Sequence, residues 1–527
     1  MWMRRTEVFA SLAAALCLAA PLAQAQTPQK GGTAIVVLAQ DPPHVNPNIT
    51  SGYINHLLGC MIYQGLVEVA ADYSIKPLIA KSWTVSPDGL TYSFELNKTS
   101  FQDGSPVTAE DVKYSLTEVS AKFSPTFAPA GRELDSVEAP APDKVVIKLK
   151  KPFAPFLVSM TCSQGAAILQ PAQFRGTNIP QNPANMEGPI GTGAFKLVEW
   201  KRGDTMRLVK SDKYWEPGKP YLDGITTKTI TQASAALQAL QAGEVDMVPL
   251  LQPSDFAAVR ANPKLKIETG DVPPNTVFLM PNNKNKPLDD KRVRQAMFMA
   301  TDRDYLMKNA FFNQGAVAVM PFAPDISWAA NPEIDYNKMY PFDVAKANAL
   351  LDEAGLKRGA DGKRATFRML NYGHEYPEYQ LVAPALKSMW QAVGVDLQLS
   401  NLETATYLKQ VFVDHDFDWT LSPYSSFSDP ALGIARVFVT SSIAKPYGNA
   451  TQYSNPEVDA LFDKAQGAVT TEGRGQYYRQ VQSILASDLP ALTLRQYRNN
   501  DAASVRLKGL WGIIQGQGHW VDAYLAQ

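Results

Sequence analysis

The chain is poor in the residues that most often carry chemistry. Only three cysteines (Cys17, Cys60, Cys162) and five histidines (His44, His56, His374, His415, His519) occur in 527 residues. Three thiols are too few for a disulfide scaffold, and their spacing contains no Cys-x-x-Cys half of a zinc ribbon. An excess of one charge is missing too. The 50 Lys and Arg stand against 51 Asp and Glu, a net charge of −1, which gives no general attraction to nucleic acid or anionic lipid. There is no Walker loop and no Gly-x-Ser-x-Gly elbow. His374-Glu375-Tyr376-Pro377-Glu378 starts like a zinc-protease helix, but the second His is absent and Pro377 would break the helix. Gly191-Thr192-Gly193 runs into a strand pattern at Phe195–Glu199 where a dinucleotide fingerprint needs a helix, so it reads as a tight turn. Nothing in the sequence argues for a catalytic set, a metal site or a cofactor.

Long apolar runs are also absent after the first 25 residues. Those begin with Arg4-Arg5, continue through an apolar stretch from Val8 to Ala20 and end Ala23-Gln24-Ala25. This is the pattern of a secretory signal peptide cut after Ala25. About 13 apolar residues are too few to span a bilayer, which needs about 20. Cys17 follows Leu16 rather than a small residue, so no lipid anchor is expected. The expected product is a soluble protein of the periplasm with no membrane insertion. Cys60 and Cys162 then remain, each among apolar neighbours, and a bridge or two buried thiols are both open.

The rest has ordinary globular composition, 45% hydrophobic and 19% charged, and its length predicts two to four domains. Strand patterns (Thr33–Leu38, Thr91–Leu96, Val145–Leu149, Phe195–Glu199, Met206–Val209, Thr366–Leu370) interleave with capped helices. Thr108-Ala-Glu-Asp111 is a capping-box variant, Asn455-Pro456 sets a cap before a first-turn proline, and Asp343 opens a helix that ends at Gly355. The chain is therefore mixed α/β in more than one lobe. Aromatic and small polar residues cluster in three turn-rich stretches: Thr50-Ser51-Gly52-Tyr53, Asn371-Tyr372-Gly373-His374-Glu375-Tyr376, and the run from Trp419 through Tyr424, Ser426 and Phe427 to Asp429-Pro430. Rings with hydroxyls beside them suit a pocket that buries an organic solute.

Ordered blocks along the whole mature chain resemble the solute-binding proteins of family 5, the dipeptide- and oligopeptide-binding type that serve bacterial ABC importers. They include Met61–Val67, Leu78-Ile-Ala-Lys-Ser-Trp83 with Ser86–Phe94, Phe101-Gln-Asp-Gly-Ser-Pro-Val-Thr-Ala-Glu-Asp-Val-Lys-Tyr-Ser-Leu116, Gly191–Phe195, Leu237–Asp246, Asp290–Ala296 and Tyr453–Asp459. The resemblance implies a two-lobed periplasmic-binding-protein fold, α/β and type II-like, with an additional subdomain in the first lobe. Lobe I would hold 26–272 plus 491–527, with the extra subdomain at about 56–185, and lobe II would hold 273–490. Crossings are expected near Lys266–Phe278 and Leu489–Tyr497. The resemblance further implies ligand contacts from Ser51-Gly52-Tyr53 and from Phe278. At the place where many peptide binders hold an amino terminus with Asp, this chain has Ser426 or Phe427; Asp429 occupies a different family position. The expected partners are a small peptide or peptide-like solute and the permease subunits of an ABC transporter with their ATPases, the receptor itself being a monomer and no enzyme. An exported hydrolase of small substrates and a ligand sensor for a chemoreceptor are the alternatives.

Overall fold

The computed structural model describes residues 28–270, 274–371, 376, 378–427, 429–445, 447–510 and 520–526. The expected signal peptide, Tyr372 and His374 lie outside the described residues.

Two large sheets organise the chain. In the first, seven strands run in the order Leu265–Thr269, Asn500–Ser504, Met247–Val248, Thr33–Leu38, Gly224–Thr229, Thr205–Lys210, Phe195–Lys201. Thr33–Leu38 lies parallel to both Gly224–Thr229 and Met247–Val248. Its Ala34, Val36, Val37 and Leu38 are all buried, as a parallel strand covered on both faces requires. In the second, six strands run Ala316–Val317, Leu492–Tyr497, Asn275–Pro281, Trp419–Ser425, Ala365–Asn371, Val395–Asn401, the last three mutually parallel. Separate apolar clusters cover the two faces of this sheet, one around Trp390 and Trp419 and one around Phe278 and Tyr478.

A smaller antiparallel sheet of Ala80–Val85, Thr91–Leu96, Lys144–Leu149 and Leu134–Ala141 forms its own core. Alternation decides its facing: Tyr92, Phe94 and Leu96 are buried, while Thr91, Ser93 and Glu95 turn outward. The local signals at helix starts are realised, with one reversal. Asp343 accepts from Lys346 N–H, and Asn455 accepts from Glu457 N–H ahead of the helix Pro456–Gly467. At Thr108 the acid reaches back: the Asp111 carboxylate accepts both the Thr108 N–H (2.7 Å) and its hydroxyl (2.8 Å).

The chain leaves the first sheet after Thr269, enters the second at Asn275, and returns between Tyr497 and Asn500. Leu492–Tyr497 pairs with Asn275–Pro281, so the expected boundary at 491 is corrected: this strand belongs to the second sheet, and the return crossing is Arg498-Asn499.

Cys60, on the helix Tyr53–Ile62, is bonded to Cys162 with Cα atoms 5.9 Å apart. The bridge joins the entry and exit of the small sheet, a separation of 102 residues. There the two chain passes touch backbone to backbone, with Leu66 N–H on Met160 O (3.0 Å) and Ile168 N–H on Gln64 O (2.8 Å). Closing a loop of that length removes much freedom from the unfolded chain, about 4–5 kcal/mol in the chain-entropy account. Replacing both Cys60 and Cys162 by Ser is expected to lower unfolding free energy by about 3–5 kcal/mol. Denaturant titration with and without reductant checks this: reductant should move the wild type to the variant's midpoint and leave the variant unchanged.

Candidate ligand-binding site

Ligands of open α/β sheets bind outside the carboxyl ends of the parallel strands, where backbone groups are unpaired and loops diverge. Here those ends belong to two sheets. Leu38, Thr229 and Val248 end strands of the first, and Asn371, Asn401 and Ser425 end strands of the second. Both crossings sit between them. A cavity of about 310 Å3 lies on the first sheet's side, lined by Leu38, Tyr53, Ile54, Ile230, Val248 and Leu250–Gln252 among others. A smaller one of about 130 Å3 continues past the same 250–252 segment to Tyr376, Glu378, Arg495, Tyr497 and Asn499. A third, of about 830 Å3, flanks the crossings where the edge strands Leu265–Thr269 and Ala316–Val317 approach.

Leu250 stands between the first two cavities. It is 41% exposed and left-handed at φ 57°, a conformation that costs a non-glycine residue about 1–2 kcal/mol. Its N–H is held by Asp501 Oδ1 at 2.9 Å. Asp501 is buried on the strand just beyond the second crossing, and burial pushes its carboxyl up to about 7; the Leu250 N–H opposes that shift and nearby Glu268 adds to it. Across the small cavity, buried Arg495 faces Glu378 at 3.6 Å. Arg495 Nε donates to Gln314 O (2.7 Å), and its guanidinium lies 4.0 Å from the Tyr497 ring. Burial raises the Glu378 pKa, with Arg495 pulling it back. Tyr376 stacks on Tyr379 with centroids 5.2 Å apart.

The residues singled out from sequence fall into separate places. Ser51 is exposed, and Gly52 caps the helix Tyr53–Ile62 where a Cβ would stand 2.5 Å from Asn55 Oδ1. Tyr53, the first residue of that helix, lines the 310 Å3 cavity. Phe278 is fully buried, edge-on to Tyr424 and Phe438 at 5.8 and 5.9 Å. Trp419 is corrected likewise. It begins its strand, at the end away from the cleft, and packs at 4.8 Å against Trp390 in the core. Tyr424 donates its hydroxyl to Gly448 O (2.8 Å), and Ser426 is fully buried. Asp429 is engaged by Arg474, whose two terminal nitrogens meet its two oxygens at 2.8 Å each. Phe427 (φ 48°) and Leu432 pack into the apolar core of the small sheet, so this loop bridges the two halves. Ala154 N–H on Gln466 O (2.8 Å) adds a backbone contact across the same boundary.

Sequence reasoning missed Leu250, Glu378, Arg495 and Asp501. An acid inside the buried run Asp501-Ala502-Ala503 was the one available signal. Among the described residues no group of three or more His, Cys, Asp or Glu is placed to hold a metal ion, and no helix is long and apolar enough to cross a membrane.

Two α/β sheets meeting edge to edge over a cleft, joined by paired crossings, define a two-lobed binding protein. Residues 74–445 match the family model described as bacterial extracellular solute-binding proteins, family 5 Middle, and the chain belongs to that family. It is 30% identical over 499 residues to the oligopeptide-binding protein AppA of Bacillus subtilis, covering 90% of this chain and 88% of that one. With heme-binding protein A of Haemophilus influenzae it shares 27% over 478 residues, covering 85% and 84%. Among solved structures, AppA of B. subtilis in complex with a nonapeptide superimposes with a TM-score of 0.79 at 28% identity, covering 95% and 100%. NikZ from Campylobacter jejuni in complex with Ni(L-His) gives 0.78 at 25% identity, covering 93% and 97%.

Two outcomes follow from these placements. Phe278→Ala is expected to cost about 3–5 kcal/mol of unfolding free energy, whereas Tyr53→Ala, at a cavity wall, should cost about 1 kcal/mol or less; urea titration of the two variants distinguishes core from wall. Asp501 binds its proton more tightly in the folded state than unfolded. Its contribution to stability is thus fully present below pH 3.8 and is lost as pH rises to about 7. Asp501→Asn, which keeps an acceptor for Leu250 N–H, should nearly match the wild type at pH 4 and exceed it at pH 8 by about 4 kcal/mol. Unfolding measured across that pH range reads the difference.

Proposed function

We propose that this chain is the exported solute receptor of an ABC importer, which closes its two lobes over a peptide or peptide-like organic solute and delivers it to the membrane permease. The observation that carries this reading is the cavity at the two chain crossings, Thr269–Asn275 and Tyr497–Asn500, lined by Leu250–Gln252 from the first sheet's half and by Tyr376, Glu378 and Arg495 from the second's. A ligand touching both halves is held only when they approach, so binding favours the closed form, and that form is what a permease recognises. Among the described residues, lobe I runs from 28 to 270 and again from 500, with the small sheet as its extra subdomain, and lobe II lies between 275 and 497. Export by a signal peptide cut after Ala25 and action as a monomer complete the proposal, and the bridged Cys60 and Cys162 suit an oxidising compartment. Relatives whose names specify oligopeptide or heme support an organic solute rather than a free ion.

Small-angle scattering and thermal unfolding with a pool of tri- to hexapeptides test it. A saturating peptide should contract the radius of gyration and stabilise the fold by about 2.7 kcal/mol at a hundredfold excess over Kd. An unchanged scattering profile at saturation overturns the closing mechanism.

A further inference from the structure

Buried acids in the second half of the chain have cations beside them. Asp429 is met by both terminal nitrogens of Arg474, and Glu378 lies 3.6 Å from Arg495. Asp501, in the first sheet, is buried as deeply at 3% exposure, and among the described residues no cation is paired with it. Leu250 donates its N–H to Oδ1 at 2.9 Å. Glu268, the residue opposite in register on Leu265–Thr269, is a like charge, and the base of that strand, Lys266, is paired with Glu268. The short strand on the other side, Met247–Val248, carries no titratable side chain. Asp501 shares a face with Ala503, and the helix Tyr53–Ile62 packs over that cluster. From there comes the Tyr53 phenol, which burial, and after it Asp501, raises well above its usual value and so keeps neutral.

These contacts set the acid behind the wall of the cleft. Tyr53 and Leu250 both line the 310 Å3 cavity, and Leu250 also lines the 130 Å3 one at the crossings. Asp501 follows Asn500, the last ladder partner of Thr269 at the return crossing. Burial is the largest influence on its carboxyl and outweighs the opposing Leu250 N–H. A solute seated against Tyr53 and Leu250 replaces the water on that side, and Leu250, 41% exposed, is covered. The surroundings of the carboxyl then become drier with no side-chain cation to answer its charge, so the neutral form gains. That form keeps its bond to Leu250, because a protonated carboxyl still has a carbonyl oxygen to accept the N–H. The proton comes from solvent and adds to the oxygen that the N–H does not use.

We propose that binding of the peptide solute is coupled to uptake of a proton by Asp501, so that the receptor holds its ligand more tightly in mildly acid than in alkaline surroundings. Asp501 is a positioning residue: it acts on the ligand through Leu250 and Tyr53. This rests on the receptor reading above and adds a regulation of that same site.

Isothermal titration calorimetry with a His-free peptide from the tri- to hexapeptide pool, in phosphate and in Tris buffer and from pH 5 to pH 9, tests it. Each measurement is read as the difference from Asp501→Asn, in which the peptide titrates but residue 501 does not. The wild type should show buffer-dependent heats that report proton uptake, and its Kd should rise across the pH range by about tenfold for each pKa unit that binding adds at Asp501. Glu268→Gln, which removes the like charge, should move the midpoint of that rise to lower pH without abolishing it, an ordering that a merely structural acid would not produce. If Asp501→Asn does not fold, the shift in Glu268→Gln decides. Identical heats and pH profiles in the wild type and Asp501→Asn, or tighter binding toward alkaline pH, overturn the assignment and leave the receptor reading standing. Failure of the wild type to bind any peptide overturns the peptide reading and this assignment with it.

Discussion

The molecule depends on two antiparallel strand pairs set end to end. Leu265–Thr269 pairs with Asn500–Ser504 in one sheet, and Asn275–Pro281 pairs with Leu492–Tyr497 in the other. Their last partners, Thr269 with Asn500 and Asn275 with Tyr497, are the points where each ladder stops. Beside them side chains tie the two passes: Thr269 Oγ1 donates to Asn500 Oδ1 at 2.7 Å, and Asn275 Nδ2 to Asn499 Oδ1 at 3.2 Å. A ladder resists bending because many hydrogen bonds share the load, and an interrupted ladder bends where it is interrupted. Both interruptions lie side by side, where the chain passes between the two sheets.

Buried charge marks where the halves are held. Arg495 and Glu378 sit at the crossing, and Arg474 with Asp429 supports the loop that reaches the small sheet. Buried ion pairs add little net stability because desolvation offsets their attraction, but removing one partner strands the other at high cost. Their effect is positional: Arg495 Nε on Gln314 O and Arg474 Nε on Ala465 O fix the side chains, and the fixed side chains fix the loops.

Features set by neighbours in sequence were legible. Helix starts at Asp343 and Asn455, the alternation of Thr91–Leu96, and the mixed α/β order required only local chemistry, and the family blocks implied the two-lobed fold. The cleft was less so. Leu250 and Asp501 come from distant segments, and only the folded sheet brings them to one wall. Aromatic clusters misled because an aromatic beside a turn is also how a strand anchors its first residue in a core, as Trp419 does against Trp390. Phe278 shows the same ambiguity, since a strand passing the cleft buries most of its side chains on both faces. The last boundary was misplaced by one strand because Leu492–Tyr497 is apolar enough for either sheet; its pairing with Asn275–Pro281 decides.

The bridge between Cys60 and Cys162 has an architectural consequence. Gly65 passes so near the outgoing chain that a Cβ there would lie 2.4 Å from Met160 O and 2.7 Å from Cys162 N. With its two ends pinned 5.9 Å apart by a covalent tie, the intervening segment behaves as a cartridge: whatever folds within it hands the parent lobe the same pair of anchor points. Such a socket fixes where the enclosed module begins and ends, while Phe427, Leu432 and the Ala154–Gln466 contact fix how it meets the other half.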